Sequence, residues 1–334
     1  MSPENTRVVL HRLRDPASVV IERGAAPTPG PGEVRIRVEA AGVSQADVTI
    51  RQGMYPVSAP LPFVLGYDLV GVIDAVGPGV TARRVGERVA AITVRGAWAT
   101  FVCWPADDVY PVPAQLDAAR AVALVLNYVT AYQLFHRVAK VRRGETILVH
   151  SAAGGVGTAL LELARLQQAR ALGTASAGKA ALVRELGGEP IDYRSEDFVA
   201  RARAIGGVDA VFDGIGGNNF SRSFASLRRG GRFLGYGFQT QMDRPLWGRI
   251  DTFARFLGMK LLPRGRSAHF YGIMFMKKDH PEWFREDLAT LFAWHAEGKL
   301  EPRIADRMPL TEAVRALERV ERGELLGKLV LVPG

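Results

Sequence analysis

The chain has 334 residues, 48% of them hydrophobic, about twice the length of a typical domain and apolar enough for two cores. Its net charge of +9 comes from arginines scattered through helical stretches such as "ARARAIGG" and "AVRALERVERGELLGK" and interleaved with Glu, with no basic block, so a dedicated nucleic-acid surface is not expected. The single cysteine excludes an internal disulfide framework and a Cys-based zinc cluster, no apolar run reaches the roughly 18 to 20 residues that span a bilayer, and "MSPENTRVVLHRLRDPA" lacks a signal-peptide pattern.

A soluble, cytoplasmic protein is therefore expected. The first third reads as β-rich and turn-rich, alternating short Val/Ile runs with Gly and Pro in "GEVRIRVEAAGVS", "DLVGVIDAVGPGV", "GERVAAIT" and "GAWATFVCWPADDVYPVP". Cys103, in "ATFVCWP", is expected as a buried strand thiol. From Ala118 the pattern turns helical through "AARAVALVLNYVTAYQLFHRVAKV". Strands and helices then alternate: "TILVH" leads to "GTALLELARLQQA", "ALGTAS" to "KAALVRELGG", "EPIDY" to "FVARARAIGG", and "VDAVFDGIGG" to "FSRSFASLRR", with "GRFLGYG" closing the series. That alternation predicts a doubly wound parallel sheet. Gln239 to Arg266 reads as irregular and rich in Arg and aromatics; the tail holds an amphipathic helix, "EWFREDLATLFAWHAEGKL", and a last strand, "KLVLVPG". Such a tail is expected to pack back on the β-rich first domain, leaving a cleft between two lobes for a small molecule.

The first strand-to-helix junction carries "SAAGGVG". Ala152, Gly154 and Gly157 fall where a dinucleotide turn has its three glycines, with Gly155 and Val156 between them. Gly154 would let a pyrophosphate approach the backbone, Gly157 would let helix and strand press together, and the helix start offers free N–H groups. An NAD site places Asp or Glu about 20 residues further on. Here "GTASAGK" has no carboxylate: Ser176 can donate to a 2′-phosphate, Lys179 adds charge, and Tyr193 in "IDY" is a third possible contact. The cofactor expected is NADPH.

These motifs, together with "AAGVSQADVTIRQGMYP", "LGYDLVGVIDAVGPGV", "NYVTAYQLF" and the closing "GKLVLVPG", resemble over almost the whole chain the medium-chain dehydrogenase/reductase superfamily. The specific similarity is to its zinc-free quinone oxidoreductase branch, which includes zeta-crystallins and relatives of vesicle amine transport protein. The resemblance implies an α/β fold: a GroES-like β-rich catalytic domain over residues 1–125 and 278–334, with a Rossmann NADPH-binding domain, 126–277, inserted in it, and a homodimer. It also implies that Ser176, Lys179 and Tyr193 grip the 2′-phosphate and that Asn127 and Thr130 lie in the segment passing beside the nicotinamide.

Zinc alcohol dehydrogenases of the superfamily take a Cys from the "AGVS" position and a His and Glu from the "GYD" position. This chain has Ser44, Tyr67 and Asp68 there, and its six histidines show no metal-ligand spacing, so no metal is expected. Without that Lewis acid a conjugated enone or quinone is an easier acceptor than a ketone, because charge spreads into an enolate that a hydroxyl donor can protonate. Tyr55 in "RQGMYP" matches, in the resemblance, a tyrosine that donates the proton in some enoyl reductases; an aromatic lid is the other reading. Asp47 would hold that loop and Tyr67 would line the pocket. Many quinone oxidoreductases have Asn where Ser44 stands, which hints at a different acceptor. Two alternatives stay open. One is a biosynthetic ene-reductase or cyclase acting on a carrier- or CoA-bound intermediate, with Arg249, Arg255, Lys260 and Arg264 as an anion-binding rim. The other is a redox-silent NADPH-binding protein with an RNA or membrane partner.

Overall fold

The computed structural model describes residues 3–55, 60–238, 245–261 and 265–333, with the side chains of 245, 246 and 249 left aside. The chain divides into two compact units, Met1–Leu126 with Leu288–Gly334, and Asn127–Asp287.

The first unit begins with β1 (Glu4–Leu10), β2 (Val19–Ala25), β3 (Glu33–Val43), β4 (Phe63–Val64), β5 (Asp68–Val76), β6 (Arg88–Ile92), β7 (Phe101–Pro105) and β8 (Tyr110–Pro111). The second contributes β9 (Thr146–Val149), β10 (Arg170–Ala175), β11 (Gly188–Asp192), β12 (Val208–Asp213), β13 (Leu227–Gly235) and β14 (Ser267–Phe270); β15 (Ile304–Pro309) and β16 (Lys328–Val332) return to the first.

In the first unit β2-β1-β4 form a small sheet, and a seven-stranded sheet runs β15-β16-β3-β5-β6-β8 with β7 paired to β3. β3 organises it because its pattern changes along its length. Val34, Ile36 and Val38 point inward while Arg35 and Arg37 alternate outward, and from Ala40 to Val43 every residue is buried. Its carboxyl end pairs antiparallel with β16, Val43 opposite Leu329, so the tail does complete the β-rich unit.

The second unit is a six-stranded sheet in the order β11-β10-β9-β12-β13-β14, every pair parallel. This is the Rossmann strand order, which reverses direction between β9 and β12. Ile147, Leu148 and Val149 of the central β9 are all fully buried, as expected of a strand covered on both faces.

Four expectations need correction. The stretch from Gln239 to Arg266 is not simply irregular, since Pro245–Leu261 forms a helix of 17 residues. Its apolar residues Trp247, Ile250, Phe253, Leu257 and Leu261 are exposed, so the periodicity marks a solvent face, not a core face. "GRFLGYG" does not close the sheet: β14 adds beside it after that helix. The helix over "FSRSFASLRR" ends at Ser226, because Leu227 already enters β13. Cys103 is half-exposed on β7, not buried, and its thiol is pushed up to about 11, chiefly by desolvation, which keeps it a poor nucleophile. Among the described residues no helix is long and apolar enough to cross a membrane.

Candidate functional site

The candidate site residues fall into two groups of side chains, one in each unit. In the first unit Ser44 ends β3's run into the helix Gln45–Arg51 and is its N-cap, and Asp47 closes a capping box by accepting from the Ser44 backbone N–H at 2.9 Å and the Ser44 hydroxyl at 2.7 Å, both on Oδ2. Asp47 is fully buried and its Oδ1 has no hydrogen-bond partner among the described residues. Burial pushes this carboxyl up to about 7, with the charge of Asp68 adding and the Ser44 hydrogen bond and Lys328 opposing.

Tyr67 and Asp68 start β5. Tyr67 is buried, and its hydroxyl lies 2.5 Å from that of Tyr55, the two rings meeting edge to face with centroids 5.7 Å apart. Burial raises the Tyr55 pKa, the hydrogen bond from Tyr67 opposes, and the Asp47 charge raises it further, so Tyr55 stays a neutral O–H donor across physiological pH. Asp68 is buried against Lys328 of β16, whose ammonium donates to both carboxylate oxygens at 3.2 and 3.3 Å. The sequence reading missed Lys328. Only the fold brings it to Asp68 across 260 positions, and no local pattern signals it.

In the second unit Gly154 is the N-cap of the helix Gly155–Gln167, and the N–H groups of Gly155, Val156 and Gly157 have no backbone partner among the described residues. Gly155 and Gly157 are both required by close approach. A Cβ on Gly155 would overlap the Asn127 amide nitrogen, and one on Gly157 would meet the Ser151 carbonyl and lie 2.7 Å from the Ala152 Cα. Ala152 is buried beneath the turn, and its N–H donates to Thr174 O at 3.0 Å, tying the turn to β10. Val156 is half-exposed beside Gly154 and Gly155, leaving the turn reachable by an anion.

Asn127 lies in a π-helical turn, Leu124–Tyr128, and its buried Oδ1 has no partner among the described residues. Wide turns of this kind recur at functional sites. Thr130, buried in the next helical turn, completes this group. Ser176 follows β10 and Lys179 closes the short 3-10 turn Ala177–Lys179. Because Ala175 pairs with Asp192, Ser176 and Tyr193 leave adjacent parallel strands side by side. Tyr193 is exposed, and Arg194 lies over its ring at 5.8 Å, a cation next to the candidate 2′-phosphate residues that the sequence reading passed over. An orphaned amide oxygen, a cradle that a Cβ would fill and a hydroxyl–lysine–tyrosine group without a carboxylate together fit a dinucleotide with a 2′-phosphate.

Around Ser44, Tyr67 and Asp68 the donors have other commitments: to Asp47, to Tyr55 and to Lys328, respectively. Among the described residues no three His, Cys, Asp or Glu side chains are grouped to hold a metal ion. His150, buried, bridges Thr174 at 3.0 Å and Ser223 at 2.9 Å, the role of a core histidine. Of the suggested anion rim, Arg255 holds Asp251 and Lys260 lies over the Phe256 ring, while Arg249 and Arg264 fall outside the described side chains.

Comparison with known proteins adds five findings. A family model for the alcohol dehydrogenase GroES-like domain matches residues 30–114, and one for a zinc-binding dehydrogenase matches residues 186–331. The chain is 33% identical over 322 residues to the synaptic vesicle membrane protein VAT-1 homolog of Rattus norvegicus, covering 92% of this chain and 78% of that one. It is 35% identical over 311 residues to phthioceranic/hydroxyphthioceranic acid synthase of Mycobacterium tuberculosis, covering 91% of this chain and 14% of the synthase. Among solved structures, Escherichia coli quinone oxidoreductase complexed with NADPH matches with a TM-score of 0.89 and 28% identity, over 98% of this chain and 100% of that one.

Proposed function

Because the chain belongs to the medium-chain dehydrogenase/reductase superfamily, in its quinone oxidoreductase and VAT-1-like branch, we propose that it reduces an α,β-unsaturated carbonyl compound or quinone without zinc. It is an NADPH-dependent oxidoreductase. The observation that carries the finer reading is the Tyr55–Tyr67 hydroxyl pair, in which Tyr67, like Ser44, holds a position where zinc dehydrogenases of the superfamily have a metal ligand.

The Gly154–Gly157 turn would hold the pyrophosphate, and Ser176, Lys179 and Tyr193 the 2′-phosphate, with Asn127 and Thr130 beside the nicotinamide. Bound NADPH supplies a hydride equivalent to the β-carbon of the acceptor. Tyr55 either donates a hydrogen bond to the carbonyl oxygen as charge accumulates there, with solvent protonating the adjacent carbon, or gives that carbon its own proton and regains one from solvent. Tyr67, held by burial, fixes the direction of the Tyr55 hydroxyl, and Ser44 with Asp47 anchors the helix that leads into the Tyr55 loop. The committed oxygens of Ser44, Tyr67 and Asp68 support a zinc-free reaction, since hard hydroxyl and ammonium-paired carboxylate donors suit zinc poorly. The proposal includes a cytoplasmic homodimer, in keeping with the branch.

A second reading is favoured by the match to the mycobacterial synthase: an ene-reductase acting on a carrier- or CoA-bound acyl chain. NADPH oxidation followed at its absorbance band, with quinones, short enones and enoyl thioesters as acceptors, separates the two. Failure of all three classes would overturn the proposal, as would about one tightly held zinc per chain whose removal abolishes turnover.

A further inference from the structure

The amino ends of β12, β13 and β14 frame a solvent-open cavity of about 840 Å³ that lies wholly within the second unit. Five arginines line it, Arg203, Arg228, Arg229, Arg255 and Arg266, and among the described residues no carboxylate does. They come from four places in the fold. Arg203 ends the helix Phe198–Ala204, Arg255 lies on the helix Pro245–Leu261, and Arg266 precedes β14. Arg228 and Arg229 sit on an excursion of β13. Between the paired positions Val208/Leu227 and Ala210/Arg232, β12 has only Asp209 while β13 runs through Arg228–Gly231, so the extra residues are pushed out to the cavity rim.

The charges are only partly compensated. Arg228 pairs with Asp209, and Arg255 holds Asp251 at 2.8 Å and reaches the Ser221 hydroxyl at 3.1 Å. Arg266 donates to the Phe224 carbonyl at 3.0 Å and lies 5.5 Å over its ring. Arg203 and Arg229 have no carboxylate partner among the described residues. Guanidinium groups are weakly hydrated and present a fork that matches phosphate oxygens, and the cavity has the volume of a small-molecule site. Phe224, Leu227 and Met259 give it an apolar floor.

This is not the nucleotide turn, which follows the carboxyl end of β9. In a parallel sheet the two ends are separated by the strand length, roughly 15 to 20 Å for strands of this size. We propose that the cavity is a second ligand site, taking the phosphate of an organic phosphate monoester or diphosphate whose apolar part rests on Phe224 and Met259. The phosphate could belong to a free metabolite or to a lipid headgroup. The proposal does not rest on the acceptor assigned above.

The test uses protein saturated with NADPH, so that the nucleotide turn is filled, titrated with inorganic pyrophosphate by calorimetry. Saturable binding of one pyrophosphate per chain is expected. Arg229→Ala should weaken it about tenfold and Arg203→Ala with Arg229→Ala further, whereas Arg170→Ala, an exposed arginine paired with Glu189 elsewhere, leaves it unchanged. Both cavity arginines are exposed, so these variants keep the fold, which an unchanged NADPH affinity verifies. Cosedimentation with phosphatidylcholine vesicles containing phosphatidic acid, competed by pyrophosphate and lost in the double variant, assigns the lipid source; pyrophosphate binding without cosedimentation assigns a soluble ligand. No saturable pyrophosphate binding, or equal binding by the double variant and wild type, overturns the proposal.

Discussion

Replacing Lys328 with methionine removes the ammonium that pairs with a fully buried carboxylate, Asp68. Asp68 is 0% exposed and Lys328 2% exposed, with the ammonium 3.2 and 3.3 Å from the two oxygens. Breaking such a pair costs about 3–5 kcal/mol. A ceiling follows from chemistry: the stranded carboxyl can take a proton, and protonating a group of ordinary pKa near 3.9 at pH 7 costs about 4 kcal/mol. Lys328→Met should therefore lose about 3–4 kcal/mol at pH 7. The sign with pH is set by the direction of the shift. Burial already raises the Asp68 pKa in the wild type while Lys328 holds it down, and without Lys328 it rises further. A group whose folded pKa is raised loses stability as pH climbs from its unfolded value through its folded one, so acidification to pH 5 should shrink the deficit. Urea unfolding followed by tryptophan fluorescence at both pH values measures this. Asp68→Asn combined with Lys328→Met should recover most of the loss. A deficit below about 1 kcal/mol at pH 7, or one equal at pH 5 and pH 7, would refute the reasoning.

Tyr55→Phe should lower enone turnover roughly 10²- to 10⁴-fold with NADPH affinity unchanged, and Tyr67→Phe about tenfold, by freeing the Tyr55 hydroxyl to turn; a fully active Tyr55→Phe enzyme in single-turnover assays would assign the proton to solvent. NADPH should bind at least about tenfold more tightly than NADH in fluorescence titrations, and Lys179→Ala should erode that preference; equal affinities in the wild type would remove the 2′-phosphate reading. Gly155→Ala, whose methyl would occupy the position of the Asn127 amide nitrogen, should weaken NADPH by at least about tenfold without unfolding the protein, and an unchanged affinity would show that the turn is not the pyrophosphate cradle.

What the sequence made legible was local. The Ala152, Gly154 and Gly157 spacing, the strand run into His150 and the missing carboxylate in "GTASAGK" are written within a few residues of one another, and each lies where the reading put it. The π-helical turn at Asn127 was not legible, because a wide turn keeps the apolar spacing of an ordinary helix. Nor was the helix Pro245–Leu261: Gly248 and Gly258 interrupt its pattern, and its apolar stripe faces outward. β14 has a single buried residue, Ala268, too little alternation to announce a strand. The partnership of Asp68 with Lys328 and the gathering of arginines at the foot of the second sheet are tertiary facts, made by residues whose neighbours in sequence say nothing of them.

The seating of β16 against β3 bears on the order in which the molecule is made. The second unit is one continuous stretch, whereas the first cannot finish its larger sheet until residues 328–332 have left the ribosome. At about 5 to 20 residues per second, synthesis of the roughly 285 residues from the end of β3 to β16 leaves β3 waiting roughly 14 to 57 s with an unpaired edge and Asp68 without its ammonium. The apolar carboxyl end of β3, Ala41 to Val43, then keeps an edge open to wrong pairing on a crowded polysome.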